Sequence, residues 1–182
     1  MKTGILAGAF NPVTRAHVAL AEAAREIVDE VVCVLPRAYP HKEMHGAALE
    51  ERVAMLQRAG FNRVEIARGG LFVEIAHELR RPGRELYFIC GRDAAERVLH
   101  WDYGDPGAVG RMLAEFQLLV ASRDGFFEAP PHLRHAIRRL KTPDLDEISS
   151  TEVRRRIGAG ESWEHLVPES VVEMARAIYS RK

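Results

Sequence analysis

Cysteine is scarce in this chain, with two residues, Cys33 and Cys90, in a total of 182. Both lie in apolar, strand-like runs, which predicts reduced core thiols rather than a disulfide or a metal-binding pair. No apolar run approaches the length of a membrane span, and residues 2–4 lead directly into a strand-like run, which predicts no signal peptide. These absences favour a cytoplasmic protein without a membrane partner.

An excess of charge of one sign is also missing. The 26 lysines and arginines balance the 26 aspartates and glutamates, which argues against a dedicated binder of nucleic acid. The patterns GxGxxG and GxxxxGK(S/T) are absent, which disfavours a dinucleotide oxidoreductase and a P-loop NTPase. His41 and His45 have a metal-ligand spacing but no third ligand near them in the sequence, so we expect no protein-held metal.

Strand-like and helix-like patterns alternate along the chain. Apolar runs predict strands at 3–7, 30–35, 64–67, 85–90 and 117–122, with a short extended segment at 141–145. Helices are predicted at 16–28, 48–59, 71–80, 94–99, 109–115, 132–140, 150–158 and 168–180. Such alternation indicates an α/β fold, a Rossmann-like doubly wound parallel sheet with helices on both faces and a small helical C-terminal subregion. Because we find no linker, we expect a single domain over 1–182.

A strand, a tight turn and a helix start follow one another near the beginning of the chain. The run 3–7 leads into Gly8-Ala9-Phe10-Asn11-Pro12-Val13-Thr14-Arg15-Ala16-His17. The first N–H groups of a helix have no internal partners, and the helix dipole favours anions there. Thr14 and His17 are three residues apart and can share one face of the first helical turn. This stretch predicts a phosphate site.

A second stretch that could bind an anion at the start of a helix is Ile148-Ser149-Ser150-Thr151-Glu152-Val153-Arg154. Ser150 or Thr151 is predicted to cap the helix that follows. The hydroxyls and free N–H groups would face an anion, and Arg154 would add a forked cation one turn into the helix. Taken alone, this stretch is a good helix N-cap, and its combination with the first stretch indicates phosphate binding.

The two stretches resemble the (H/T)xGH and ISSTxxR signatures of the nucleotidyltransferase superfamily. The positions that match the first signature are Phe10, Asn11, Pro12, Thr14 and His17. Ala9 and Ala16 replace glycines of the signature. Thr14 replaces its first histidine, as in the phosphopantetheine adenylyltransferase branch.

Three further segments resemble the nicotinate-nucleotide adenylyltransferase branch. They are Pro40-His41-Lys42, Gly91-Arg92-Asp93 with Trp101 beyond it, and Ala121-Ser122-Arg123-Asp124-Gly125. The chain departs from that branch at Leu71-Phe72-Val73-Glu74, where the branch has a Tyr/Thr-Asp-Thr-like run that helps to hold the nicotinate end. This departure puts the identity of the acceptor in question more than the transfer itself.

The resemblance implies transfer of AMP from ATP to the phosphate of nicotinate or nicotinamide mononucleotide, with release of pyrophosphate, in NAD biosynthesis. It implies catalytic roles for His17, Thr14, Lys42 and Arg154, ATP contacts from Gly8, Ala9, Phe10, Arg123, Ser149, Ser150 and Thr151, and acceptor contacts from Asp93 and Trp101. Mg²⁺ is expected on the ATP rather than in a protein cage. The expected partners are ATP and a pyridine mononucleotide, and a homo-oligomer stays open.

Two other functions stay open at this point. Thr14 favours another member of the superfamily, with phosphopantetheine or a different phosphate as its acceptor. A nucleotide-binding protein that has lost catalysis is an alternative from another class, against which His17, Lys42 and Arg154 argue together.

Overall fold

Parallel strands form the centre of the computed structural model, which describes residues 1–37, 46–121, 127–143 and 148–180. The strands are β1 (Lys2–Ala7), β2 (Glu30–Pro36), β3 (Val64–Ala67), β4 (Glu85–Gly91), β5 (Phe116–Ala121) and β6 (Ile137–Leu140). They lie in the order β3-β2-β1-β4-β5-β6, and each neighbouring pair is parallel.

Helices connect the strands and close the chain. They are α1 (Arg15–Ala24), α2 (Leu49–Arg58), α3 (Phe72–Leu79), α4 (Arg92–His100), α5 (Ala108–Glu115), α6 (Ser150–Ala159) and α7 (Val172–Tyr179). Short 3₁₀ helices occupy Pro131–Ala136, Glu164–Leu166 and Glu169–Val171. The last of these covers the beginning of the helix predicted at 168–180, so the α-helix itself begins four residues later than predicted.

Alternate residues of the strands enter two separate cores, because successive side chains of a strand point to opposite faces. Cys33 and Leu35 of β2 join a core with α1, α2, α6 and α7. Val32 and Val34 join a second core with α3, α4 and α5. Helices therefore cover both faces of the sheet, which confirms the predicted doubly wound fold. The C-terminal helices α6 and α7 pack on the first face.

The helix predicted at 132–140 is wrong. A 3₁₀ helix over Pro131–Ala136 is followed there by β6, which pairs with β5 and forms an edge of the sheet. Ile137 and Leu140 are buried, while Arg138 and Arg139 are exposed. Ile137 and Leu140 are three residues apart, a spacing that fits one turn of a helix as well as a short edge strand. The apolar pattern therefore did not distinguish a helix from a strand. The segment predicted as extended at 141–145 has no strand over 141–143, and its last two residues lie outside the described ranges.

The strand order reverses between β1 and β4, which are neighbours although they are far apart in sequence. The chain leaves β1 toward α1 on one face and leaves β4 toward α4 on the other face. Ligands of open parallel sheets bind in the crevice outside the carboxyl ends of the strands at such a reversal. The loops after β1 and β4 therefore frame the expected site.

Two further expectations concern cysteines and membrane spans. Cys33 and Cys90 are buried and free of disulfide bonds, and burial raises the pKa of each thiol to about 12. Within the described ranges, no helix combines the length and the apolar character needed to span a membrane.

We expect substitution of Gly4, in the central strand β1, to lower stability. A Cβ at this position would lie 2.9 Å from Cδ1 of Ile89 and 3.0 Å from Cγ2 of Val28. Gly4→Val should therefore reduce the free energy of unfolding by about 1–3 kcal/mol through overpacking. Urea denaturation measures this change, and unaltered stability would contradict the packing described here.

The matched control is Gly110→Ala on α5, where an added Cβ meets nothing within 4 Å. This variant should gain about 0.5–1 kcal/mol, because alanine favours a helix interior over glycine.

Candidate active site

The β1–α1 loop (residues 8–14) lies at the carboxyl end of the central strand. Its backbone begins with a hydrogen bond from Gly8 N to Val34 O at 3.0 Å, which continues the pairing with β2. Phe10 has a positive φ of 48°, a conformation uncommon for residues other than glycine, and its ring is buried. The ring centroid lies 5.0 Å from that of His17, so the loop packs directly against the first turn of α1.

Thr14 and His17 are in contact, as their spacing predicts. The Thr14 N–H donates to Nδ1 of His17 at 3.0 Å, and Oγ1 of Thr14 lies 2.8 Å from the same nitrogen. Thr14 is itself fully buried. The structure therefore places Thr14 behind the imidazole, where it positions the ring, rather than on the surface that a ligand would reach.

The hydrogen bond from Thr14 also fixes the protonation of His17. Because a backbone N–H points at Nδ1, that nitrogen accepts, and the proton of the neutral ring lies on Nε2. Burial lowers the pKa of His17 from 6.5 to about 4. At neutral pH the side chain is therefore an uncharged N–H donor.

Asn11 holds the loop from its other side. Its Oδ1 accepts from Ala47 N at 3.1 Å and from the hydroxyl of Tyr179, on α7, at 2.5 Å. Burial raises the pKa of Tyr179, which keeps that hydroxyl a donor. Gly46 has a φ of 104°, and a Cβ there would lie 3.0 Å from both Asn11 Oδ1 and Tyr179 Cε1. Only glycine fits this junction.

A buried guanidinium supports the same loop from α2. Arg52 is 6% exposed, and its Nη1 donates to the carbonyl of Ala9 at 3.1 Å. Sequence reasoning missed Arg52 and Tyr179 as site residues. No local pattern marks them, because their contacts with the loop depend on packing between distant segments.

The start of α6 contacts the β1–α1 loop directly. Ser150 Oγ donates to Pro12 O at 2.7 Å. Arg154 Nη1 donates to Asn11 O and, at 3.2 Å, to Ser150 O. The structure thus brings together the two stretches that the sequence suggested, and the N-termini of α1 and α6 lie side by side.

The cap of α6 predicted at Ser150 or Thr151 is wrong. Ser149 is the N-cap, with an extended backbone at φ −139° and ψ 155°, and its Oγ accepts from Glu152 N at 3.1 Å. Because the helix already begins at Ser150, the Ser150 hydroxyl is used to contact Pro12 instead. Thr151 is exposed, and its Oγ1 lies 3.5 Å from Nη2 of Arg154.

A cleft of about 260 Å³ lies beside the loop, at the reversal of strand order. It is lined by Ala7, Gly8 and Ala9 at the end of β1, by residues 70–72 before and at the start of α3, and by Trp101 at the end of α4. Trp101 is half-buried. Asp93 is exposed in the first turn of α4 and does not line this cleft.

Two predicted site residues, Lys42 and Arg123, lie outside the described residues, so their roles stay predictions. Within the described ranges, no three or more histidine, cysteine, aspartate or glutamate side chains are grouped so that they could hold a metal ion. In the part of the chain that the structure describes, the site therefore offers N–H donors, hydroxyls and guanidinium groups, which suit phosphate oxygens.

Known proteins resemble this chain over nearly its whole length. Residues 5–156 match the cytidylyltransferase-like family. The chain is 34% identical to the "probable nicotinate-nucleotide adenylyltransferase" of Rubrobacter xylanophilus, covering 98% of this chain and 92% of that protein. It is 35% identical to the protein of the same name from Thermus thermophilus, covering 94% of each.

A solved structure shares the fold. The nicotinic acid mononucleotide adenylyltransferase of Plasmodium falciparum, complexed with NaAD, gives a TM-score of 0.65 at 17% identity, covering 95% of this chain and 93% of that chain. This likeness shows the α/β architecture.

We expect His17 of the ligand-free protein to titrate near pH 4 and to carry its proton on Nε2 at neutral pH. An unfolded histidine binds its proton near pH 6.5, so the unfolded state holds more protons between these values. The stability that His17 contributes should fall as the pH is lowered from 6.5 toward 4. Nitrogen-detected NMR of the imidazole, assigned with His17→Gln, measures both properties. A midpoint near 6.5 or a proton on Nδ1 would contradict the geometry.

Proposed function

The chain belongs to the cytidylyltransferase-like family, among its nicotinate-nucleotide adenylyltransferases, and we propose that it catalyses that reaction at the carboxyl edge of its sheet. It transfers AMP from ATP to the phosphate of nicotinate mononucleotide, releasing pyrophosphate, in NAD biosynthesis. The family membership confirms the nucleotidyltransferase predicted from the two motifs. The observation that carries the location of the site is the contact of Ser150 and Arg154 with the β1–α1 loop, which joins two helix N-termini.

The chemistry needs little acid–base assistance. The acceptor phosphate is mostly a dianion at neutral pH, since the second pKa of a phosphate monoester is about 6. It attacks the α-phosphorus of ATP, and the bond to the pyrophosphate oxygen breaks. Catalysis then depends on alignment and on stabilisation of charge in the transition state. His17, held by Thr14, supplies an uncharged Nε2–H donor for an α-phosphate oxygen.

The triphosphate would lie against the start of α6. Ser149, Ser150 and Thr151 begin this helix, where free N–H groups and hydroxyls favour an anion. The contacts of Arg154 with two carbonyls fix its guanidinium beside the loop, and its further N–H groups can bind the β,γ-phosphates. Gly8, Ala9 and Phe10 would supply backbone contacts.

Two more residues enter this proposal through the family resemblance alone. Lys42 would bind the β,γ-phosphates, and Arg123 would lie near the adenosine.

The acceptor base would occupy the cleft, with Trp101 stacked on the pyridine ring. The aromatic and apolar lining of the cleft suits a flat heterocycle. Asp93, exposed at the start of α4, would approach the acceptor from outside the cleft.

Mg²⁺ would enter with ATP. The described residues contain no grouped carboxylates to hold it, and they fit a metal ion bound by triphosphate oxygens and water. When bound, Mg²⁺ supplies charge neutralisation of the phosphates.

We also propose that residues 1–182 act as one domain. One buried cluster contains Leu6 of β1, Val153 of α6 and Ile178 of α7, so the last helix shares a core with the first strand.

We expect pyrophosphate release when ATP and Mg²⁺ are supplied with nicotinate mononucleotide. A coupled pyrophosphate assay, run in parallel with nicotinamide mononucleotide and phosphopantetheine, measures it. Activity with phosphopantetheine alone would support adenylyl transfer but would contradict nicotinate mononucleotide as the acceptor. Binding of ATP without turnover of any acceptor would indicate a nucleotide-binding protein that has lost catalysis.

We expect His17→Ala to lower kcat by about 10²–10³, because removal of a transition-state donor typically costs that much. The dissociation constant of ATP should change by less than about tenfold, since the ground state relies on several other contacts. His77→Ala is the control, because His77 is exposed and pairs with Glu115 on the surface. Equal losses in turnover and ATP affinity would reject this role for His17.

A further inference from the structure

The cleft contains one charged side chain among its described lining residues. Glycine, alanine, proline, leucine, valine and aromatic residues make up the rest of the lining, and the exception is Arg97 of α4. Arg97 precedes Trp101 by four residues, and both line the same cleft. A cation therefore lies in the same cleft as the aromatic surface that the acceptor base would use.

Arg97 also lacks a carboxylate partner in the part of the chain that the structure describes, where it forms no ion pair or side-chain hydrogen bond. Other exposed arginines nearby are paired. Arg92 of the same helix binds Glu96 at 2.6 Å, and Arg111 of α5 binds Asp105. Among the residues that the structure describes, no carboxylate therefore competes with a ligand for the charge of Arg97.

The charged group at the start of α3 is the carboxylate of Glu74, which does not line the cleft. Leu71 N donates to Oε2 of Glu74 at 2.9 Å, so this carboxylate takes a free N–H group at the start of α3. Phe72 stacks on Phe88 with ring centroids 4.4 Å apart. This is also the segment, Leu71-Phe72-Val73-Glu74, at which the sequence departs from the branch that it resembles.

We propose that Arg97 binds the carboxylate of the nicotinate ring and makes the acid a better acceptor than the amide. The proposal rests on the proposed function. A guanidinium matches a carboxylate with two parallel N–H···O bonds, whereas a neutral carboxamide offers one oxygen and no charge. The acceptor's phosphate is a second anion that Arg97 could meet, so the test must separate the two groups.

The experiment compares nicotinate and nicotinamide mononucleotides as acceptors for the wild type, Arg97→Met and Arg97→Lys. Methionine keeps the length of the side chain and removes its charge. Arg97→Met should lower kcat/KM for nicotinate mononucleotide by about ten- to a hundredfold, the range of a lost charge-assisted hydrogen bond. It should change the value for nicotinamide mononucleotide by less than about threefold, because the neutral carboxamide offers the guanidinium no charge to pair with. Arg97→Lys should retain part of the preference for the acid.

Arg111→Met is the matched control, because it removes an exposed arginine outside the cleft, and both acceptors should keep their wild-type kinetics. Equal losses for the two mononucleotides with Arg97→Met would assign Arg97 to their shared phosphate and overturn the proposal. Unchanged kinetics with both would overturn it as well.

Failure of the proposed function has a different signature. A wild type that turns over neither mononucleotide would contradict the proposed function, whatever Arg97 does. In that case, calorimetric titration with the two mononucleotides tests the role of Arg97 independently of turnover. Tighter binding of the acid, lost in Arg97→Met, would support the role of Arg97, and equal or absent binding would overturn it.

Discussion

The hydrogen bonds of the Asn11 side chain organise the site more than any other contact. A single buried amide oxygen accepts from Ala47 and from Tyr179, which belong to segments far apart in the sequence. The main-chain oxygen of the same residue accepts from Arg154. An unmade hydrogen bond to a buried polar group is costly, so these contacts either form together or leave several groups unsatisfied. The β1–α1 loop is consequently held in one conformation by three other segments.

The electrostatics of the site combine a helix dipole at the start of α1 with a cation, Arg154, near the start of α6. His17 is neutral, because burial disfavours a second proton, and it lies in the first turn of α1. Arg154 lies near the start of α6, where main-chain carbonyls fix its guanidinium. Groups already oriented before the substrate arrives need no reorganisation as charge develops in the transition state. Preorganisation of this kind suits a reaction in which both reacting groups are phosphates.

Local patterns in the sequence predicted the strands and helices well wherever the spacing of apolar residues distinguishes a strand from a helix. The turn after β1 and the contact between Thr14 and His17 follow from short spacings, and the structure shows both. The helix expected at 132–140 failed because two arginines on an edge strand resemble a solvated helix face. The cap of α6 was misplaced because neighbouring hydroxyls can each fill that position; in the structure Ser149 caps the helix and Ser150 contacts Pro12.

Contacts between distant segments could not be predicted in this way. Nothing near Tyr179 or Arg52 in the sequence shows that they reach the loop, since packing alone brings them there. Asn11 matches a motif, yet its role as an acceptor for two distant donors appears only in three dimensions. The placement of Asp93 outside the cleft likewise depends on the direction in which α4 leaves the sheet.

The hydrogen bond between Tyr179 and Asn11 has a consequence for how the protein is made. Synthesis runs from the N-terminus, so the loop at residues 8–14 leaves the ribosome long before the helix that completes it. A nascent chain can form the first strands and α1, but the amide of Asn11 waits for a partner that is 168 residues away. Asn11 and Tyr179 thus meet at the proposed site, which becomes complete only after Tyr179 has been synthesised.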